Sequence, residues 1–275
     1  MQYIFGIIIF LFGGAVGSFV NVIADRYNTG LSFLKGRSFC FSCNTGLKSI
    51  DLFPIFSFLF LKGRCRHCQS KIPVSALVTE LLMGALSLLA AFKSGFLISG
   101  ISILLTTNYL LLTTIFAIIL LISIYDLRHF IIPDSLLVAF FIFCIFYISL
   151  LTTNYWLHNL LSGLALSLPF LLIFLVSSGR WLGFGDVKYI AVIGFFLGIA
   201  NGISAVIIAF WIGAVFSLTA LSLKYLKSHI DLPILSNNLT IKSEIPFGPF
   251  LSIGIIISFY LNADLFQIHA LFQNF

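Results

Sequence analysis

The sequence predicts an all-α membrane protein with about eight transmembrane helices and one polar loop that carries paired cysteines. Three observations lead to this prediction. The 275-residue chain is 60% hydrophobic and only 9% charged, whereas soluble globular domains carry about 25% charged residues. Apolar runs recur along the chain, each near the roughly 20 residues that a helix needs to cross the hydrocarbon core. Four of the five cysteines lie in the single long polar stretch.

The apolar runs define the predicted helices. The sixth and seventh are separated only by the region of Gly198, Asn201 and Gly202, which leaves their boundary open. The stretch from Phe96 to Leu105 is apolar but too short to span, so we expect a loop or an interfacial piece there. The eight predicted spans are about 3–24, 74–92, 104–125, 135–151, 157–177, 187–200, 203–223 and 247–263.

The first apolar run has two interpretations. The small residues "GGAVGS" resemble a signal-peptide cleavage region, but signal peptides carry positive charge before the apolar core. Here only Met1 and Gln2 precede the core, and Arg26 follows it. This order favours an uncleaved helix whose N-terminus lies outside.

Basic residues set the orientation. If the loop 25–73 is cytoplasmic, the eight-span topology places every Lys and Arg except Lys93 on the cytoplasmic side, as the positive-inside rule expects. The net charge of +6 therefore requires no nucleic-acid partner. We divide the chain into a first transmembrane helix (1–24), a cytoplasmic four-cysteine loop (25–73) and a transmembrane core (74–275).

The cysteine loop contains two Cys-x-x-Cys pairs, "CFSC" and "CRHC". This spacing lets two thiolates hold one tetrahedral ion, and the two pairs are about 20 residues apart, as in structural zinc sites. Two disulfides are the alternative, but a cytoplasmic loop keeps its thiols reduced. We predict a structural zinc site made of Cys40, Cys43, Cys65 and Cys68. Cys144 lies alone in the fourth span, where a small packed apolar residue is expected.

Two aspartates are predicted to meet at one membrane boundary. Asp126 ends the third span in "ISIYDLRHFIIPD", and Asp186 begins the sixth in "GFGDVK". Because these spans run in opposite directions, both carboxylates lie at the cytoplasmic edge. Acids within spans are functional candidates by default. Two adjacent acids can share a proton, one activating water while the other protonates the substrate, as in aspartic proteases.

The helix directions also suggest separate roles for the two acids. A helix N-terminus favours the ionised form of Asp186, and a helix C-terminus favours the protonated form of Asp126. We therefore expect Asp186 to be the general base and Asp126 the general acid at the start of a cycle. The alternative is that each aspartate only faces headgroup water at a boundary, with Lys188 snorkelling.

Other residues are expected to support this pair. Gly183 and Gly185 leave room beside Asp186 for close backbone approach or a sharp turn. Asp134 follows Pro133 at the start of the fourth span, which is a favourable position for a capping acid. Glu80 lies deeper, and we assign it support rather than chemistry.

Five blocks in order resemble the prepilin peptidases, the type IV leader peptidases of the GxGD aspartic protease class. The blocks are "GSFVNVIADR", the paired cysteine motifs with "KGRCRHC", "YDLRHFIIPD", "GFGDVK" and "PFGPFLSIG". The resemblance covers nearly the whole chain. It implies that Asp126 and Asp186 are the catalytic pair and that the cysteine loop binds zinc.

The resemblance also implies substrates, a co-substrate and a location. The substrates would be prepilins and pseudopilins of type IV pili and type II secretion, cut at the cytoplasmic face of the bacterial inner membrane. Many members also methylate the new N-terminus with S-adenosylmethionine. The basic leader would be positioned by its apolar helix and by local acids such as Asp51 and Glu80. The alternatives are a different GxGD intramembrane protease or an ion-coupled transporter, but transporters usually place such acids near the midplane among internal repeats.

Overall fold

The described part of the chain is helical, as predicted. The computed structural model describes residues 2–30, 32, 38–40, 42–99, 102–151, 156–227 and 246–262. Within these residues there is no β-strand, only two isolated β-bridges. Lys35, Arg37 and Lys242, which contribute to the predicted orientation, lie outside the described residues. The α-helices are α1 (Gln2–Arg26), α2 (Phe56–Phe60), α3 (Val74–Lys93), α4 (Phe96–Ser99), α5 (Ile103–His129), α6 (Asp134–Leu151), α7 (Trp156–Ser177), α8 (Phe184–Lys227) and α9 (Gly248–Leu261).

Five of these helices are long and apolar enough to cross a membrane, which makes the chain a multi-pass membrane protein. They are α1, α3, α5, α7 and α8, while α6 and α9 are shorter apolar helices. The predicted sixth and seventh spans form the single assigned helix α8, whose backbone leaves helical geometry at Gly198 with φ 77° and ψ 175°. That break lies where the sequence placed the division between two spans. The total of eight stays a prediction.

The chain divides into two compact units, Met1–Ile124 and Tyr125–Phe275. In the first unit, α1 and α3 lie against each other through glycines. A Cβ on Gly13 would stand 2.4 Å from the Ser87 Cβ, and one on Gly17 would stand 2.9 Å from the Thr79 carbonyl oxygen. Helices in membranes commonly associate through small residues that allow such close backbone contact. The Ser87 hydroxyl also hydrogen-bonds Tyr109 of α5 at 2.8 Å.

The second unit is built around α8. A Cβ on Gly163 of α7 would lie 2.5 Å from the Ala191 carbonyl oxygen, and one on Gly254 of α9 would lie 2.1 Å from the Ala205 carbonyl oxygen. The helices α7 and α9 therefore both touch the backbone of α8 directly. This packing fixes the N-terminal ends of α8 and α9, which carry the candidate site.

Candidate active site and metal centre

Asp126 lies in the last turn of α5 and is buried, with 4% of its surface exposed. Its Oδ2 accepts a hydrogen bond of 2.9 Å from the backbone N–H of Gly248, the first residue of α9. A Cβ at position 248 would stand only 2.6 Å from that oxygen. Residue 248 must therefore be glycine for the carboxyl group to keep this place.

Asp186 lies in the first turn of α8 and is partly buried. It makes a hydrogen bond with the Gly183 backbone, and it is close enough to Asp126 for the two carboxyl groups to interact electrostatically. A Cβ on Gly183 would lie 3.2 Å from the Asp186 Oδ2, and one on Gly185 would lie 3.3 Å from the Ile132 Cβ. Asp126 and Asp186 therefore both lie in the second unit, near enough for their charges to interact, and their pairing as catalytic residues stays a prediction.

A buried hydroxyl chain connects α8 to the start of α9. The Tyr189 hydroxyl group hydrogen-bonds the Ser252 Oγ at 2.8 Å, and that Oγ donates to the Gly248 carbonyl oxygen at 2.9 Å. Tyr189 is fully buried and lies one turn after Asp186. The chain of hydrogen bonds therefore holds in place the residue whose N–H reaches Asp126.

Sequence reasoning did not single out these three residues. Any residue except proline can donate its backbone N–H, so the residue type does not identify the donor. A tyrosine among apolar residues is expected to be an ordinary buried packing residue. The one available signal was position, because Gly248 and Ser252 both lie within the block "PFGPFLSIG".

Lys188, near the start of α8, forms an ion pair with Asp134, the first residue of α6. The Lys188 side chain is 34% exposed and that of Asp134 is 71% exposed, and the Lys188 ammonium also lies 4.9 Å from the centre of the Phe184 ring. Because the pair is largely solvated, we expect it to be worth only about 0–1 kcal/mol. The pair joins the start of α6 to the first turns of α8.

The four loop cysteines converge on one point. All are free of disulfides, and their Sγ atoms lie within 4.8 Å of one another. The Cys40 and Cys68 Sγ atoms are 3.8 Å apart. A tetrahedral zinc with Zn–S bonds of about 2.3 Å requires sulfur atoms about 3.8 Å apart. The cluster therefore fits a metal ion of this size.

The two cysteine pairs adopt the same local fold. In each, the first cysteine donates its N–H to the residue five positions later, Thr45 at 3.0 Å and Ser70 at 2.9 Å. In each, the residue after the second cysteine has a left-handed backbone, with φ 53° at Asn44 and 59° at Gln69. We refer to residues 39–46 and 64–71 as the two knuckles, since each is closed by one β-bridge.

Hydrogen bonds favour the thiolate form of one cysteine in each knuckle, whereas burial and the neighbouring Cys40 and Cys68 thiols raise the pKa of the Cys65 thiol. Hydrogen bonds from the backbones of Cys43 and Ser42 lower the pKa of the Cys40 thiol to about 6. The Ser70 hydroxyl and backbone lower the pKa of the Cys68 thiol. The thiolate is the form that binds a metal, so the knuckles prepare these sulfur atoms for coordination.

Asp51 does not match its expected role as a leader-binding acid. Its side chain is 3% exposed and pairs with Arg66 of the second knuckle at 2.8 Å, while its other oxygen accepts the Lys48 N–H at 3.1 Å. A carboxylate that is already neutralised and buried offers little attraction to a basic peptide. Asp51 instead ties the second knuckle to the chain between the knuckles.

Glu80 lies in α3, where the sequence suggested either a loop cation or a polar network as its partner. Its Oε2 accepts a hydrogen bond of 2.7 Å from the backbone N–H of Ile55, and it also makes a hydrogen bond with the Ser18 side chain. Ile55 has φ 65° and ψ −52°, a conformation that is rare for a β-branched residue. The partner is thus a strained backbone amide rather than a cation.

The chain is similar to two protein families and to named proteins over most of its length. Residues 11–94 match the bacterial peptidase A24 N-terminal domain, and residues 111–218 match the type IV leader peptidase family. A prepilin leader peptidase/N-methyltransferase of Bacillus subtilis (strain 168) is 28% identical over 94% of each chain. One of Klebsiella pneumoniae is 30% identical over 71% of this chain and 86% of its own.

A further relative carries a different name. The type 4 prepilin-like proteins leader peptide-processing enzyme of Escherichia coli O78:H11 (strain H10407 / ETEC) is 26% identical over 91% of this chain and 92% of its own. No solved structure matches the chain.

Proposed function

The chain belongs to the type IV leader peptidase family, and from that premise we propose that Asp126 and Asp186 are the catalytic pair of a leader peptidase acting on prepilins and pseudopilins. The observation that supports the assignment is that Asp126, buried in the last turn of α5, lies near enough to Asp186, in the first turn of α8, for the charges of the two carboxyl groups to interact. Relatives along nearly the whole chain are named for leader-peptide processing.

The arrangement supports general acid–base hydrolysis. One carboxylate accepts a proton from a water molecule as its oxygen adds to the scissile carbonyl carbon, and the other carboxyl group donates a proton to the departing nitrogen when the C–N bond breaks. Because each acid holds a backbone hydrogen bond, the assignment of Asp186 as base rests on the helix directions. Coupled carboxyl groups titrate as a pair.

The substrate would present its scissile bond at the end of an apolar helix. Exposed apolar side chains cover the long helices, and these surfaces suit an apolar substrate helix in the bilayer. We place the cut at the cytoplasmic face of the bacterial inner membrane. In the predicted topology, this is the side that carries most of the basic residues, as the positive-inside rule expects.

The Cys40, Cys43, Cys65 and Cys68 sulfur atoms would hold a structural zinc ion. Four thiolates with no open position describe a closed site, which stabilises a fold rather than supplying a reacting water molecule. The ion would fasten the two knuckles to each other.

The test of the peptidase assignment is cleavage of a purified prepilin by the protein in proteoliposomes, read by mass spectrometry. Asp126→Asn and Asp186→Asn should each lose cleavage by about three orders of magnitude or more, as expected for a catalytic acid or base that acts as part of a unit. Asp134→Asn is the matched control, a neighbouring aspartate that should retain activity. Substantial turnover by either catalytic variant would remove it from the pair.

Methyl transfer to the new N-terminus is a second activity, favoured by the N-methyltransferase names of the relatives. The amine would receive the methyl group of S-adenosylmethionine, releasing S-adenosylhomocysteine and a proton. The same assay run with and without S-adenosylmethionine reads the added methyl separately. A cleaved but unmethylated product under conditions where cleavage is complete would remove this activity.

A further inference from the structure

The chain between the two knuckles contains an exposed apolar surface that no part of the proposed chemistry uses. Residues 50–60, "IDLFPIFSFLF", include the short helix α2, none of whose residues is buried. Phe60 is 83% exposed and Leu59 is 60% exposed. Exposed apolar patches of this kind mark an interaction surface. The other large exposed side chains of the segment are Ile50, Leu52, Phe53 and Phe56.

The segment lies beside the membrane-spanning parts of α1 and α3 rather than beyond their ends. The Pro54 Cβ and the Ile55 Cδ1 would lie 3.3 and 3.8 Å from a Cβ on Gly14. Gly14 precedes Arg26, the end of α1, by about 18 Å at 1.5 Å per residue. Glu80, which holds Ile55, lies about 9 Å beyond Val74, the start of α3. Both lengths exceed the headgroup layer, which occupies about 5–8 Å on each side of the hydrocarbon.

Several backbone N–H groups of the segment find partners within the protein, as hydrocarbon requires. Pro54 has no N–H, and the Ile55 N–H is bonded by the Glu80 carboxyl group. The N–H groups of Ser57, Leu59 and Leu61 donate to backbone carbonyl groups within the segment at 2.9–3.1 Å. Non-helical backbone at membrane depth is tolerated only where its polar groups find such partners. Glu80, although it lies in a membrane-spanning helix, meets this requirement by accepting the hydrogen bond of the Ile55 N–H.

Charges are arranged to match a membrane interface. Asp51, the one acid of the segment, is buried against Arg66, so the exposed face carries no charge. Lys48 lies just before the segment, and Lys62 and Arg64 follow it. Apolar side chains bracketed by cations are typical of segments that lie in the interface with their apolar side among acyl chains.

We infer that residues 50–60 form a re-entrant segment whose exposed side chains contact lipid acyl chains in the leaflet that contains the Arg26 end of α1. The knuckles on either side are thereby held at the membrane surface, and the Glu80–Ile55 hydrogen bond fixes the depth of the segment against α1. The inference rests on contacts within the first unit and does not depend on the proposed peptidase activity.

Tryptophan fluorescence in proteoliposomes tests this inference. The three native tryptophans are replaced (Trp156→Phe, Trp181→Phe, Trp211→Phe), and Phe60→Trp is introduced into the zinc-loaded protein. Vesicles of phosphatidylcholine and phosphatidylglycerol carry a nitroxide quencher either on the acyl chain or on the headgroup, and iodide is the aqueous quencher. Ile8→Trp on the exposed face of α1 is the lipid control, and Thr29→Trp, just beyond α1, is the water control.

We expect acyl-chain nitroxide to quench Phe60→Trp as it quenches Ile8→Trp, and iodide to quench it several-fold less than Thr29→Trp. Equal iodide quenching of Phe60→Trp and Thr29→Trp would overturn the inference, since the segment would then face water. Protection from both quenchers would also overturn it, because protein, such as a second copy of the chain, would cover the surface. Loss of lipid quenching on adding saturating prepilin would reassign the surface to substrate.

A second tryptophan position shows whether the result at residue 60 reflects local misfolding caused by that substitution. Leu59→Trp changes the neighbouring exposed residue of α2 and should show the same pattern. Zinc content, measured by mass spectrometry of the metal, confirms in each variant that the knuckles are intact. A failure of leader cleavage in these variants would leave the quenching result readable, because the depth measurement needs no catalysis.

Discussion

At the scale of single residues, the site depends on where backbone atoms allow a carboxyl group to sit. Asp126 is held by the Gly248 N–H at 2.9 Å, and the space beside that oxygen exists only because residue 248 has no side chain. A hydrogen bond is worth about 0.5–1.5 kcal/mol when both groups are neutral and about 1.5–3 kcal/mol when one of them is charged. A change that displaces the carboxyl group and breaks this hydrogen bond should therefore lower the rate of leader cleavage.

Gly248→Ala tests this placement. The added Cβ would stand 2.6 Å from the Asp126 Oδ2, so the carboxyl group must leave its present position. Since a misplacement of about 1 Å can cost roughly 100-fold in rate, we expect kcat for leader cleavage to fall by about that factor.

Gly213→Ala is the matched control for that variant. Its Cβ would meet the Phe250 ring at 3.5 Å, an ordinary van der Waals distance, in the same pair of helices. It should keep cleavage near the wild-type rate. Wild-type cleavage by Gly248→Ala, with the protein folded, would show that the position of Asp126 is not critical.

The Asp134–Lys188 pair provides a contrasting case. Both side chains are partly exposed, so a double-mutant cycle with Asp134→Ala and Lys188→Ala should give a coupling energy of about 0.2–1 kcal/mol in thermal unfolding. Leader cleavage should persist in all three variants. A loss of cleavage by Asp134→Ala as large as that of Asp126→Asn would contradict the supporting role of Asp134.

At the scale of elements, glycines set the distances between helices. The α9 residue Gly254 brings its backbone against the Ala205 carbonyl group of α8. In a membrane, where apolar burial gives little drive for helix association, such close packing supplies much of the stability. The elements that carry Asp186 and Gly248 are therefore positioned by residues that have no side chain.

Gly254→Ala should destabilise the fold. Its Cβ would overlap the Ala205 carbonyl oxygen at 2.1 Å, and overpacking typically costs about 1–3 kcal/mol. Thermal unfolding in detergent, followed by tryptophan fluorescence, should show a lower transition temperature than wild type. Gly213→Ala serves again as the control, and equal transitions for the two alanine variants would contradict the close contact of α8 and α9.

The knuckles are the second element whose geometry makes a prediction. Cys43→Ser should abolish binding of one zinc ion per chain, measured by metal analysis of the purified protein, because serine is a poor ligand for zinc at neutral pH. Cys144→Ser is the control, since Cys144 is buried in α6 and is not one of the four clustered cysteines, so its replacement should leave zinc content unchanged. Full zinc content in Cys43→Ser would exclude the four-sulfur site.

Much of this arrangement could be predicted from the sequence for physical reasons. Apolar runs define spans, their alternating direction places Asp126 and Asp186 on one side, and Cys-x-x-Cys spacing forces two sulfur atoms together. The Gly248 donor could not be predicted, because any non-proline residue offers an N–H and only the fold decides which one is near. The Glu80–Ile55 bond was hidden for the same reason.

At the scale of the whole molecule, the chain consists of two compact units that contain different groups of candidate functional residues. The first contains the knuckles, Glu80 and the apolar segment, and the second contains both aspartates with the residues that position them. The two family matches, to residues 11–94 and 111–218, leave out residues 95–110, which include α4 and the first eight residues of α5. The candidate dyad is therefore complete within the second unit.

The central claim is that Asp126 and Asp186 act as one catalytic unit, and the rate of the double variant Asp126→Asn/Asp186→Asn tests it most directly. With enzyme in excess over prepilin in single-turnover assays, we expect the double variant to be as slow as either single variant, within about threefold, because residues that act as a unit are grossly non-additive. If the loss in the double variant equals the product of the two single losses, the aspartates act independently and the claim fails.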